Sequence, residues 1–293
     1  MAELSPLLMQ SATVRALHVL WREVEGVVML ASRGAVSAFA IALAAVAAGA
    51  ARADPQALST NVPVEIEDAR PVPLGTLFIQ PDQRFTRDRA TGGGTTDLGQ
   101  PELSLKLGAA KGLQLDVTPA YNWSGGPQDS NGQARVGGLY QFTQDKGDWL
   151  PDLAVRASYG IGYGVSAPSD QVLLRGAATK HLGAGDRAPR LHANVSWTRV
   201  LDPAAGDRRD QYGAAVGASF LVAKDTAVVA DYAWSQRPGR GDGDQQFIDV
   251  GMIHEFSEQW SVGFGAGGGV GGGRQPEGRL FVSLQRVFRL FGG

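Results

Sequence analysis

The sequence lacks cysteine entirely, carries a formal net charge of only −2 over 293 residues, and has no long apolar run after residue 53. Without cysteine the chain forms no disulfide, no cysteine-ligated zinc site and no cysteine-linked lipid anchor. The nearly balanced charge gives no basic field that would hold a phosphate backbone, so nucleic acid is not an expected partner. A membrane-spanning helix needs about 18 or more apolar residues in a row, so the sequence argues against a helical membrane protein.

Glycine, by contrast, is abundant: the chain has 40 glycines, and 43% of its residues are hydrophobic. Glycine is unfavourable inside regular elements unless backbones bend or approach closely, so its frequency indicates a repeated structural use. A collagen-like chain would place glycine at every third position, which this chain does not. A disordered chain would contain fewer apolar residues. These exclusions favour a strand-rich folded protein.

Residues 29–53 have the pattern of a secretory signal peptide. A lone Arg33 precedes a small apolar run over 35–50, and the Ala-Arg-Ala sequence at 51–53 is typical of a cleavage site. The apolar run is too short and too rich in alanine to span a bilayer comfortably. We therefore predict export and cleavage after Ala53.

The segments on either side of this signal differ from it in composition. Residues 1–28 lie upstream of a complete signal peptide and fit neither its charged start nor a mature domain, so we interpret them as a mis-assigned extension with the true start at Met29. Residues 54–73 are proline-rich, acidic and without periodicity, and we predict a periplasmic tail there.

After residue 73, segments of about ten residues alternate between apolar and polar side chains, as membrane-barrel strands do. In 152–163 one face carries Leu153, Val155, Tyr159 and Ile161, and the other carries Arg156, Ser158, Gly160 and Gly162. A helical period would mix the two sets. We predict an all-β fold: a single transmembrane antiparallel β-barrel of about 12 strands over 74–291, preceded by the cleaved signal peptide.

Connection lengths distinguish a membrane barrel from a water-soluble sandwich, whose strands also alternate. Short links are predicted at 110–112, 223–225 and around 257, and longer, glycine-rich polar links at 124–132, 201–209, 237–244 and 270–278. Outer-membrane barrels show this asymmetry between periplasmic turns and external loops, and aromatic residues near both strand ends match two interfacial girdles. A periplasmic soluble β-sandwich is the alternative fold.

If the apolar face meets lipid, the other face lines a lumen with charges of both signs. The candidate lumen-lining residues are Glu102, Lys106, Asp116, Arg135, Arg156, Arg175, Asp231, Asp249 and Arg279. So many charges in a dry interior would be costly, so we expect water, a dense ion-pair network, or both. About twelve strands leave a narrow channel, and mixed signs argue against strong ion selectivity. The alternative is a structural or adhesion barrel whose charges pair across the lumen and plug it.

Catalytic and metal-binding patterns are weak. His192 and Ser196 share a strand face but lie about 13 Å apart, too far for a catalytic dyad. His181 and His192 have no third candidate ligand, and no G-x-S-x-G motif occurs in the sequence. We therefore predict a non-enzyme without metal or cofactor.

The stretch 97–106, followed by 112–117 and Tyr121-Asn122, resembles the early hairpin of outer-membrane transporters linked to aromatic-compound (phenol meta-pathway) degradation. This resemblance implies an outer-membrane channel or facilitator for passive passage of small, often hydrophobic or aromatic molecules. The last amphipathic strand, ending at Phe291, resembles the terminal strand that the barrel assembly machinery recognises. The expected location is the outer membrane of a Gram-negative cell, and the expected partners are its lipid, that machinery and a small solute.

Overall fold

The computed structural model describes residues 65–89, 95–123, 131–145, 149–183, 188–270 and 276–290. Within these ranges twelve strands form one closed antiparallel barrel, in which each strand pairs with its sequence neighbours and β1 pairs with β12. The strands are β1 (Thr76–Arg89), β2 (Thr95–Ala110), β3 (Leu113–Asn122), β4 (Asn131–Thr143), β5 (Asp152–Gly164), β6 (Gln171–His181), β7 (Arg190–Val200), β8 (Asp210–Ala223), β9 (Thr226–Ser235), β10 (Gln245–Ser257), β11 (Trp260–Gly269) and β12 (Pro276–Arg289). The predicted all-β barrel is confirmed.

Closure of the sheet contradicts the sandwich alternative. Two packed sheets would leave edge strands, whereas β1 and β12 are hydrogen-bonded to each other along most of their length. No helix within the described ranges is long and apolar enough to cross a membrane. The predicted extension 1–28, the predicted signal peptide 29–53, residues 54–64 and Phe291 lie outside the described residues.

The two ends of the barrel differ in the length of their links. We call the end where β1 begins and β12 finishes the terminal end, and the opposite end the loop end. At the terminal end, 111–112, 224–225 and 258–259 are tight turns, while 144–151 and 182–189 are longer. At the loop end, 201–209 and 236–244 are the longest links. This asymmetry follows the predicted pattern.

Burial along the strands is inverted relative to a water-soluble protein. On β5 and β7, Val155 is 44% exposed and Val195 is 65% exposed, whereas Asp152, His192 and Asn194 on the same strands are buried. Successive side chains of a strand point to opposite faces, so the apolar side chains face outward and the polar ones line the interior. The barrel therefore carries an apolar outer surface around a polar lumen.

Residues 65–73, which two residues separate from the start of β1, lie inside this barrel, and we call them the lumenal segment. The sequence predicts a periplasmic tail for 54–73, but the backbone of 65–73 is hydrogen-bonded to inward-facing side chains of the barrel wall. Buried backbone N–H groups need hydrogen-bond acceptors, and this segment has no strand partner to supply them. The polar side chains of the lumen supply those acceptors, which is why the segment lies inside the barrel.

Candidate functional site: the lumen

All nine charged residues proposed from the sequence lie on the inward face of the barrel, where the structure brings seven of them into ion pairs and places Asp231 as an acceptor for the Ile66 N–H. Arg135 on β4 donates to Glu102 on β2 at 2.7 Å. Arg156 on β5 donates to Asp116 on β3, and Lys106 lies opposite Asp116 in the β2–β3 register. The two arginine contacts each cross over one intervening strand, which is possible because side chains converge inside a closed barrel.

The lumenal segment crosses the barrel from one wall to the other. The Ile66 N–H donates to Asp231 on β9 at 2.9 Å, and the Val72 N–H donates to Gln114 on β3 at 3.1 Å. Strands β3 and β9 lie on opposite sides of the ring of twelve. Between them, the Ala69 N–H donates to Thr179 on β6 at 3.1 Å. The segment therefore obstructs part of the bore, from mid-barrel to the terminal end.

Small apolar contacts accompany these hydrogen bonds. Ile66 packs against Ala215, Val229 and Ala233 in one buried cluster. Ala69 packs against Leu139 and two alanines in another. Complete burial of an isoleucine side chain such as that of Ile66 contributes about 1.5–3 kcal/mol, so packing as well as polar contacts holds the segment in the lumen.

Glu67 forms the central ion pair of the lumenal segment. Its carboxylate accepts from Arg156 Nε at 2.6 Å, and Arg175 Nη1 lies 3.4 Å from its second oxygen. The Glu67 backbone N–H donates to Asn194 at 2.6 Å, and the Asn194 amide donates back to the Glu67 carbonyl at 2.9 Å. Arg156 thus bridges a barrel carboxylate and a segment carboxylate, which fixes the segment relative to the wall.

Glu65, the residue of the lumenal segment nearest the loop end, contacts two arginines. One oxygen, Oε1, accepts from Arg279 Nη1 at 3.0 Å and lies 3.3 Å from Arg84 Nη1. Arg279 also donates in bidentate fashion to Asp249. Burial raises the pKa of the Glu65 carboxyl, but the attraction of Arg84 and Arg279 outweighs this effect and lowers the pKa to about 2. Glu65 is therefore ionised at neutral pH.

Asp68 ends a chain of hydrogen bonds that includes a histidine and a serine. The Thr179 hydroxyl lies 3.0 Å from Asp68 Oδ1 and 3.1 Å from His192 Nδ1, and His192 Nε2 lies 2.9 Å from Ser219 Oγ. The serine that contacts His192 is Ser219 on the neighbouring strand β8, which the sequence analysis does not single out. The chain of hydrogen bonds connects the segment to β6, β7 and β8.

A cavity of about 350 Å³ occupies the lumen above the lumenal segment, towards the loop end. Its lining includes Glu65, Arg84, Arg175 and Arg279 on the charged side, and Leu98, Phe247, Ala215 and Ala233 among its apolar members. The Arg279 guanidinium lies 3.7 Å from the centre of the Phe247 ring, and the Arg84 guanidinium lies 5.0 Å from that of Phe281. Stacking holds both guanidiniums in place at the cavity wall.

Gly267 on β11 makes room for the Asp249–Arg279 pair. A Cβ added at this position would collide with the Asp249 carboxylate. This observation gives a specific role to one of the glycines that the sequence makes conspicuous: it allows a carboxylate to approach the backbone closely.

The sequence-based set of lumen residues omits Glu65, Glu67 and Arg84, although each makes a central contact. The stretch around Glu65 and Glu67 has no periodicity, so strand patterning does not place it inside the barrel. The available signal is charge complementarity, since an acidic segment precedes a barrel whose inward face carries many arginines. Among the described residues no group of His, Asp and Glu has the arrangement of a metal site.

No protein-family model matches the chain, and no curated protein matches it significantly. Among solved structures, the barrel is similar to the COG4313 outer membrane channel from Pseudomonas putida F1, with a TM-score of 0.58 and 15% identity over 77% of this chain and 100% of that chain. It is also similar to the KdgM porin (TM-score 0.46, 14% identity, 71% of this chain and 99% of that one) and to the NanC porin (0.47, 10%, 73% and 100%). The first likeness shows the fold alone: this chain has the fold of an outer-membrane β-barrel.

Proposed function

We propose that the protein is an outer-membrane channel of a Gram-negative cell that allows passive passage of small solutes. The observation that carries this proposal is the inverted burial of the barrel, with Val155 and Val195 exposed while Asp152 and Asn194 are buried. An apolar outer surface is stable in lipid, and a lumen lined with charges is stable when hydrated. The proposal includes export by the signal peptide at 29–53 and insertion by the barrel assembly machinery.

The lumen supports passage of small solutes only. Twelve strands enclose a narrow bore, and the lumenal segment takes up part of it. The cavity of about 350 Å³ above the segment is at the lower end of the roughly 300–1,000 Å³ typical of small-molecule sites. Its lining combines charged groups with Leu98 and Phe247, so we extend the proposal to small solutes with an apolar or aromatic part.

The test is conductance of the purified full-length mature protein in planar lipid bilayers. Discrete current steps that scale with protein are expected, together with a shift in gel mobility on boiling, since a closed barrel resists detergent until heated. Silence across salts and voltages, from protein that shows the mobility shift, would contradict the channel proposal.

A second candidate function, a structural or adhesion barrel with a plugged lumen, is favoured by one observation. The lumenal segment is bonded to both walls, and its charged side chains pair with Arg156 and Arg279. Swelling of solute-loaded vesicles distinguishes the two functions: a channel admits small sugars or amino acids with the segment in place, whereas a barrel plugged by the segment admits them only after a substitution has loosened it.

A further inference from the structure

The two arginines that hold Glu65 form a carboxylate-binding arrangement. Arg279 Nη1 donates to Glu65 Oε1 at 3.0 Å, and Arg84 Nη1 lies 3.3 Å from the same oxygen. Both guanidiniums are stacked on phenylalanine rings, so their positions depend little on Glu65 itself. Planar guanidinium groups match carboxylate geometry, which makes a pair of fixed arginines a general recognition element for this group.

This arrangement opens onto the cavity rather than being sealed in the wall. Glu65, Arg84, Arg175 and Arg279 all line the cavity. The side chains of Arg84 and Glu65 are 38% and 30% exposed, so solute entering from the loop end reaches them. Leu98 and Phe247 lie in the same lining, and they offer an apolar surface beside the arginines. A ligand that fits has a carboxylate at one end and a small apolar body at the other.

We propose that this cavity binds a small aromatic or apolar monocarboxylate, and that Glu65 occupies the carboxylate position when the ligand is absent. The proposal deepens the channel function proposed above and rests on it, because it names the class of solute that pauses in the lumen. Arg84 and Arg279 exchange the Glu65 carboxylate for that of the ligand, with Arg175 close by. Glu65 thus acts as a tethered competitor within the same chain.

The charges of the lining favour an anion over a cation or a neutral analogue. Three arginines face the cavity against two acidic side chains, Glu65 and Asp88. When a ligand carboxylate takes the place of Glu65, the guanidiniums of Arg84 and Arg279 keep an anionic partner, so neither cation loses its carboxylate contact. A neutral amide of the same shape would leave that requirement unmet, and this predicts discrimination between benzoate and benzamide.

The test is equilibrium binding to the full-length mature protein in detergent micelles, measured by isothermal titration calorimetry with benzoate and with benzamide. Wild-type protein should bind benzoate more tightly than benzamide. Glu65→Ala removes the tethered competitor and should lower the benzoate Kd about tenfold, since a tethered group acts at a high effective concentration. Arg84→Gln should abolish benzoate binding, and Arg84→Lys should retain part of it.

Two controls separate this site from general effects of substitution. Arg87→Gln changes an exposed arginine of the same strand that pairs with Asp97 and does not line the cavity, so this variant should bind benzoate like wild type. The double variant Glu65→Ala with Arg84→Gln tests whether the gain from Glu65→Ala depends on the arginines rather than on a loosened segment. The gain should vanish in it.

Three results would overturn the site: equal binding of benzoate and benzamide, no effect of Arg84→Gln, or a gain that persists in the double variant. The channel proposal is judged separately by conductance. Protein that conducts but binds no benzoate would refute the carboxylate site and leave the channel standing, whereas protein that is silent in bilayers would refute the channel itself.

Discussion

Replacing Glu67 with glutamine removes the central charge of the lumenal segment while keeping its size. In the structure this carboxylate accepts from Arg156 Nε at 2.6 Å, and the side chains of Glu67 and Arg156 are only 17% and 12% exposed. Glu67→Gln leaves Arg156 paired with Asp116. The substitution therefore weakens the hold on the segment without leaving Arg156 as an isolated buried cation.

The magnitude follows from the kind of interaction that this substitution weakens. Removing one partner of a buried ion pair costs about 3–5 kcal/mol when the other charge is stranded, and a hydrogen bond to a charged group is worth about 1.5–3 kcal/mol. Because Arg156 keeps one carboxylate and the glutamine oxygen still accepts a hydrogen bond, we expect about 2 kcal/mol, the lower part of these ranges. That corresponds to a roughly thirtyfold increase in the ratio of undocked to docked segment.

Amide hydrogen exchange measures this ratio directly. The N–H groups of Ile66, Ala69 and Val72 are bonded to barrel side chains, so their exchange should accelerate roughly thirtyfold in Glu67→Gln while strand amides stay protected. Glu258→Gln, in the tight turn at 258–259, is the matched control and should leave exchange unchanged. Unchanged exchange of all three segment amides in Glu67→Gln would refute the idea that this ion pair holds the segment in the lumen.

Three further predictions test the wall and the segment. Gly267→Ala should destabilise the barrel by about 2 kcal/mol or more in denaturant titrations, because the added Cβ collides with the buried Asp249 carboxylate. The control Gly268→Ala should not, because a Cβ at that position has its nearest contact at 3.4 Å. Equal stabilities of the two variants would contradict the close-approach role of Gly267. Val195→Arg, on the outer face, should lower the free energy of unfolding in lipid vesicles by about 2–4 kcal/mol. Ser196→Arg, on the lumen face, should lower conductance with little loss of stability. The reverse outcome would contradict the assigned faces. The pKa of Glu65 is lowered from 4.5 to about 2, so its contribution to docking of the lumenal segment is complete above pH 4.5 and is lost as the pH falls towards 2. Once the ordinary base catalysis of exchange is corrected for, the segment amides should therefore lose protection as the pH is lowered. A loss of protection as the pH is raised would contradict this prediction.

The wall of the barrel was predictable from sequence because its information is local. Alternation along β5 and β7 identifies which side chains face outward, and the structure exposes Val155, Tyr159 and Val195 on that side. The short turns and longer loops follow from runs of glycine and polar residues between strands. Each of these signals is contained within about ten to twenty residues, the scale of one hairpin.

The lumenal segment was not predictable in this way because its partners are distant in sequence. Ile66 and Asp231 are separated by 165 positions, and Ala69 and Thr179 by 110. A segment without periodicity is interpreted as a tail unless the acceptors around it are known, and these acceptors are assembled only when the barrel closes. The same holds for Ser219, which reaches His192 through strand register rather than through sequence spacing.

The central claim, that lipid contacts one face of each strand and water the other, is tested most directly by cysteine scanning of β7. The chain has no cysteine, so each position from 191 to 196 can be replaced singly in an otherwise unlabelled protein. In lipid vesicles, cysteines at 191, 193 and 195 should resist a water-soluble thiol reagent, and a fluorophore placed there should be quenched by brominated lipid. Fluorophores on cysteines at 192, 194 and 196 should escape quenching by the lipid. Quenching that does not alternate with a two-residue period, or that alternates with the opposite phase, would contradict the assignment of lipid to one face and water to the other.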